Sequence, residues 1–184
     1  MAILDILTLP DPTLKQVSEP VTAFDGALRA FVDDLEETRR NGPAAVGIAA
    51  PQVGHFRRIV IIDCSSTRKP VPNHGRLVLV NPEITHWEGY EMGREGCLSV
   101  PDYTGNVIRA ERIRLRAQDP RGEPLAFEME GFEARAAQHE LDHLEDPRRF
   151  EHRLEAALLP GRRAVDDLDQ RVLVQVIDQD LEQE

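Results

Sequence analysis

The sequence predicts one domain in which two helices are mixed with antiparallel strands. Residues 107–118 and 124–130 alternate apolar and polar side chains (Ile113, Leu115, Ala117, then Leu125, Phe127, Met129) on either side of Asp119-Pro120-Arg121-Gly122, the signature of a hairpin with one face buried. Leu28, Phe31, Val32 and Leu35 follow the i, i+3, i+4, i+7 spacing of an amphipathic helix over about 25–40. A second helix, from about Phe132 to Glu145, carries His139 and His143 one turn apart. A chain of 184 residues, 41% hydrophobic and 30% charged, has the size and composition of one globular domain with its own core, and we read 1–184 as that domain.

In chain order, residues 1–24 are punctuated by Pro10, Pro12 and Pro20 and read as an irregular arm laid over the body. Asp25 is the N-cap of the first helix and Asn41-Gly42 its end. The small apolar run 45–54 (AVGIAAPQVG) reads either as a packed turn or as a strand edge that binds an extended peptide. In it Gly47 permits close approach of another backbone, and Gln52 is a fixed amide donor. Residues 57–63 (RRIVIID) form a buried strand, with Cys64 as a small hydrophobe at its end. Residues 65–76 read as an exposed loop, and 77–80 (LVLV) as a strand stopped by Asn81-Pro82. In 95–101 (EGCLSVP), Cys97 is either a buried thiol or a metal ligand delivered from a loop, with Gly96 allowing the bend. Gly131 breaks the hairpin pattern, and Pro147 with Arg148-Arg149 ends the second helix. The tail, 161–184, holds seven acidic residues from Val165 onward against one basic, Arg171, and reads as helix or strand.

His139 and His143 share a helix face and can close on one divalent metal, with Glu140 placed to act as general base on a water. Cys97 would complete a Cys-His-His set. Three protein ligands leave one position open, the mark of a catalytic rather than a structural site. No apolar run is long enough to span a bilayer, and Met1-Ala2-Ile3-Leu4-Asp5 lacks the basic and apolar segments of a signal peptide. We therefore expect a cytoplasmic protein that does not bind a membrane. A net charge of −11 argues against binding to DNA.

The segments AVGIAAPQ (45–52), EGCLS (95–99) and HELDH (139–143) occur in one order and supply complementary parts of one site. In them the chain resembles the peptide deformylase family, over roughly residues 3–154. Ile6-Leu7 with Pro10-Asp11-Pro12, Asn81-Pro82, the region of Arg109 and the last hairpin add to the likeness. The resemblance implies an α+β fold, with antiparallel strands packed around a central metal-binding helix. It implies a hydrolase that removes formyl from the formyl-methionine of newly made polypeptides, releasing formate. Cys97, His139 and His143 would hold one divalent metal per chain, Fe²⁺ in the first place, with Zn²⁺ and Ni²⁺ able to occupy the site. Glu140 would deprotonate the attacking water. The metal, the Gln52 amide and the Leu98 N–H would hold the oxyanion. Glu95 would pair with Arg109. The methionine would enter a pocket of Ile48, Leu98, Phe132 and Ala136, and the nascent chain would lie beside Gly47 and Ile48.

The chain departs from the family pattern at Ala45, which replaces the first Gly of its motif, and at Thr104, where many members carry arginine. It departs again at Ala136-Ala137, where bulkier aliphatics are usual, and in the polar stretch 144–150. The acidic tail argues against ribosomal-RNA contact through it, leaving at most a transient ribosome contact. Another metal-dependent amidohydrolase on the same scaffold and an inactive metal-binding homologue are the competing readings.

Overall fold

The computed structural model describes residues 2–42 and 45–145. The expected helix stop at Pro147 and the acidic tail lie outside the described residues. Helix α1 spans Gly26–Asn41, with the Asp25 side chain accepting from the Leu28 N–H as expected. Strands β1 (Gly47–Ala49), β2 (Ile59–Asp63), β3 (Arg76–Glu88), β4 (Glu91–Cys97), β5 (Val100–Arg109), β6 (Arg112–Gln118) and β7 (Pro124–Glu130) follow, and then helix α2 (Gly131–Asp142). One five-stranded antiparallel sheet has the order β1-β2-β3-β6-β7, and β4 and β5 form a separate two-stranded ribbon.

The two helices pack on the sheet's two faces. Ala134, Ala137, Leu141 and Leu144 meet Val60, Ile62, Leu79, Ile113, Leu115 and Met129 in one apolar cluster. Leu28, Val32 and Leu35 of α1 meet Ile48, Ile59, Ile61 and Val80 in a second. Strand β2 is covered on both sides, so its apolar run is continuous; β6 is covered on one side only and alternates with exposed arginines. Leu35 is fully buried, so Leu35→Ala should cost about 3 kcal/mol in denaturant unfolding.

The structure corrects three expectations. Strand β3 does not stop at Asn81-Pro82. A bulge there, with Asn81 at a φ of 50°, takes up the proline that lacks a ladder donor, and the strand runs on to Glu88. The Asn81 side chain bonds both the N–H and the C=O of Val21, fastening the arm to the bulge. The segment 107–118 is not one strand, because residues 107–109 belong to β5 and the hairpin partner of β7 begins at Arg112. Helix α2 ends at Asp142, because the chain turns there to bury Leu144 and to give the Leu144 carbonyl to the Ser18 N–H of the arm (2.9 Å).

Candidate metal centre

Helix α2 and ribbon β4–β5 bring the three expected ligands together. The ligand atoms of Cys97, His139 and His143 all lie within 4.8 Å of one another, with Cys97 Sγ 3.4 Å from His143 Nε2. Cys97 is delivered from the end of β4, not from a free loop. The donor chemistry, one sulfur and two imidazoles around a common point, fits a divalent cation with an open position.

Glu95 organises this cluster. Its carboxylate accepts from Arg109 Nε (3.0 Å) and Nη2 (2.9 Å) and from Arg135 Nη1 (3.0 Å), and it lies 2.9 Å from His139 Nδ1. The last contact fixes the ring and leaves Nε2 for a metal. The expected Glu95–Arg109 pair is therefore present, and Asp142 joins it at 2.5 Å from Arg109 Nη1. Burial works against the Glu95 carboxylate, but the bonds from His139 and Arg109 outweigh it and hold its pKa well below the usual range.

Charge at the centre favours a cation. Burial opposes an imidazolium at His139, yet the bonds to Cys97 and Glu95 and the field of Glu140 push its pKa up to about 10. His143 moves the other way, kept neutral first by burial and then by the charges of His139 and Arg109. A neutral imidazole is the form that binds a metal, so His143 is ready for one, while His139 gives up its proton as a cation takes the proton's place.

Gln52 sits in a 3₁₀ turn, Ala50–Val53, directly after β1. Its Oε1 accepts from the Ala49 N–H (2.9 Å), so its Nε2 points to Ser99 Oγ (3.2 Å) and Cys97 Sγ (3.6 Å). The arm steadies both neighbours: the Leu7 N–H donates to the Gln52 carbonyl and the Leu9 N–H to that of Ser99. Glu140 is buried, and its Oε2 has no hydrogen-bond partner among the described residues. Burial first, with Glu95 adding, raises its pKa to about 7 against the opposing charge of His139.

A cavity of about 640 Å³ opens onto Cys97, Gln52, His139 and Glu140 and is lined further by Gly47, Leu98, Phe132 and Ala136. Ile48 is not part of it. Side chains alternate along β1, so Gly47 faces the helix and the site while the fully buried Ile48 points into the cluster under α1. The expected pocket loses Ile48 and gains Ile6 and Val46. Arg94 and Tyr103 also line the cavity, and the Arg94 Nε donates to Thr104 Oγ1 (2.8 Å). Sequence reasoning missed Arg94, Ser99 and Arg135; of these only Ser99 lay inside a motif.

The second thiol behaves differently. Cys64 is 1% exposed, and burial, then the fields of Glu133 and Asp63, push its pKa up to about 12. It stays a neutral, unreactive thiol near neutral pH. Iodoacetamide at about pH 8 should label Cys97 in chelator-treated protein and spare Cys64, as peptide mass mapping would show.

The polypeptide deformylase family model matches residues 3–153. The peptide deformylase of Acidobacterium capsulatum is 47% identical over 147 residues, 79% of this chain and 83% of that one. A crystal structure of a Legionella pneumophila peptide deformylase superposes with a TM-score of 0.74 at 36% identity, covering 95% of this chain and 98% of the other. A Met-Ala-Ser-bound class I type b peptide deformylase from Acinetobacter baumannii gives 0.72 at 36% identity, over 79% and 96%. Matched by the family model over most of its length, and with the three motifs converging on one cavity, this chain belongs to the polypeptide deformylase family.

Proposed function

We propose that the chain hydrolyses the formyl amide of N-terminal formyl-methionine on newly made polypeptides, releasing formate. We propose Fe²⁺ as the cation held by Cys97, His139 and His143, with Zn²⁺ and Ni²⁺ as substitutes, since one sulfur and two imidazoles accept all three. The observation that carries the reading is the single cavity onto which the three ligands, Gln52 and Glu140 all converge. When bound, the cation supplies a Lewis acid and acidifies a water. The Glu140 carboxylate would take a proton from the attacking water and pass it to the leaving amine. Gln52 Nε2, its orientation fixed by Ala49, and the Leu98 N–H donate to the oxyanion that develops, each worth about 3 kcal/mol of barrier. Leu98, Phe132, Ala136, Ile6 and Val46 receive the methionine side chain.

Strand β1 is an edge of its sheet, so the peptide can extend it beside residues 46–48. The Acinetobacter relative solved with Met-Ala-Ser supports a substrate that begins with methionine. Arg94 takes up, from the neighbouring strand, the place of the arginine that Thr104 replaces, and holds the downstream peptide. Arg94→Glu should raise KM for formyl-Met tripeptides roughly fivefold and leave kcat unchanged, a loss of about 1 kcal/mol.

Two free cysteines fit a reducing cytoplasm, and no described helix is long and apolar enough to cross a membrane. Residues 1–184 act as one catalytic domain whose acidic tail does not bind ribosomal RNA. The test is formate release from a formyl-Met tripeptide by protein purified without oxygen and loaded with Fe²⁺ or Ni²⁺. No release from protein holding one metal per chain would overturn the reading, and a parallel panel with acetylated peptides would reveal a different amidohydrolase.

A further inference from the structure

We propose that Arg135 sets the spacing of the metal ligands, acting as a strut that fixes ribbon β4–β5, which carries Cys97, against helix α2, which carries His139 and His143. This rests on the reading of those three residues as metal ligands and not on the formyl chemistry. Arg135 lies one turn before His139 on the same helix face and is 7% exposed. Its Nη1 donates to Glu95 Oε1 (3.0 Å) and to the Val107 carbonyl (2.9 Å), and its Nη2 donates to the Glu91 carbonyl (2.8 Å). One guanidinium therefore grips the backbone of both strands of the ribbon and also the carboxylate that orients His139.

Burial of a guanidinium is costly, and an apolar side chain is the ordinary choice where a helix packs on strands. Here both terminal nitrogens of the guanidinium meet acceptors on the ribbon. The ribbon also makes room for it. A Cβ at Gly93 would stand 2.5 Å from Arg135 Cζ and 2.7 Å from its Nε, so glycine lets the guanidinium lie against β4. Arg109 runs the opposite way, from β5 to Asp142 on the helix and to Glu95, and keeps the Glu95 carboxylate paired without Arg135. Gln138 ties α2 to the Ala110 backbone just past β5. What Arg135 adds is the tie to the backbone of both strands within the ribbon, at Glu91 and Val107, and with it the distance from Cys97 to the imidazoles. A lysine keeps the charge but lacks the fork that spans these acceptors.

The experiment loads Co²⁺ into the wild type, Arg135→Lys, Gly93→Ala and Leu35→Ala. It records the sulfur-to-cobalt charge-transfer band, the visible d–d bands and the rate of metal transfer to a chelator. Arg135→Lys and Gly93→Ala should shift the bands and release metal about tenfold faster or more, the size of effect known for groups behind metal ligands. Leu35→Ala, destabilised at a remote site, should keep the wild-type spectrum and rate. Wild-type spectra and release rates in both strut variants, whatever their melting temperatures, would make Arg135 a staple of the fold only and overturn the proposal. Should Arg135→Lys fail to fold, Gly93→Ala decides alone. No formate is measured, so failure here is separate from failure of the deformylase assignment.

Discussion

Glu140→Gln should reduce formate release by about 10²- to 10⁴-fold, the usual contribution of a positioned acid-base group. The same substitution should stabilise the fold once metal is stripped with a chelator. Burial lifts the Glu140 pKa from 4.5 to about 7, so the fold prefers the protonated acid. Between these values the unfolded chain has lost its proton while the folded one keeps it, and stability falls as pH rises. Above the folded value the whole cost is present, about 3 kcal/mol for a shift of this size. Glutamine cannot ionise and escapes it. Denaturant unfolding of the stripped proteins should therefore show Glu140→Gln more stable at pH near 8, with the gap closing toward pH near 4. A cation held by the neighbouring ligands favours the carboxylate and shrinks the effect, which is why stripped protein is the proper comparison. A variant less stable than wild type throughout would contradict this account.

The same conflict explains what was legible in the sequence. Helix α1, strand β2 and the β6–β7 hairpin were readable because burial alone shapes them, and burial writes a period of 3.6 or 2 into the chain. The β4–β5 ribbon was not. Its inward positions include Gly93, Glu95, Gly105, Val107 and Arg109, which make room for and bind Arg135, His139 and Asp142, so the apolar alternation that would announce two strands is missing. The grouping of Cys97, His139 and His143, with Glu140 beside them, was legible because metal chemistry fixes residue type and spacing. The pocket wall was harder. Ile48 sits in the motif beside Gly47, but only the direction of β1 decides which of the two faces the cavity. Arg94 could not be found from its own position, since the role proposed for it rests on a contact across the ribbon to Thr104.

Gly47→Ala should inactivate the enzyme while leaving the metal ligands in place. The backbone at Gly47 does not have positive φ, so any residue could adopt it, and the glycine is there for space. A Cβ at this position would lie 2.7 Å from Glu140 Cδ and 2.8 Å from its Cγ, and closer still to Oε1. Neither element can retreat. Gly47 pairs with Ile62 in the sheet, Ile48 and Ala49 are fully buried, and Ala134 and Ala137 bury α2 in the apolar cluster against the sheet. The Glu140 side chain must swing away from the cavity, while His139 and His143 stay with the helix and Cys97 with its ribbon. We expect formate release to fall by about 100-fold or more, because a displaced base loses most of its catalytic contribution. Overpacking should cost about 1–3 kcal/mol of stability. Metal content should remain at one per chain, which separates this outcome from loss of the site. Adding Gly47→Ala to Glu140→Gln should lower activity little further, since the methyl acts through a base already removed. Near-native turnover in the single variant would show that Glu140 works from another position, and the assignment of its role would fall with that result.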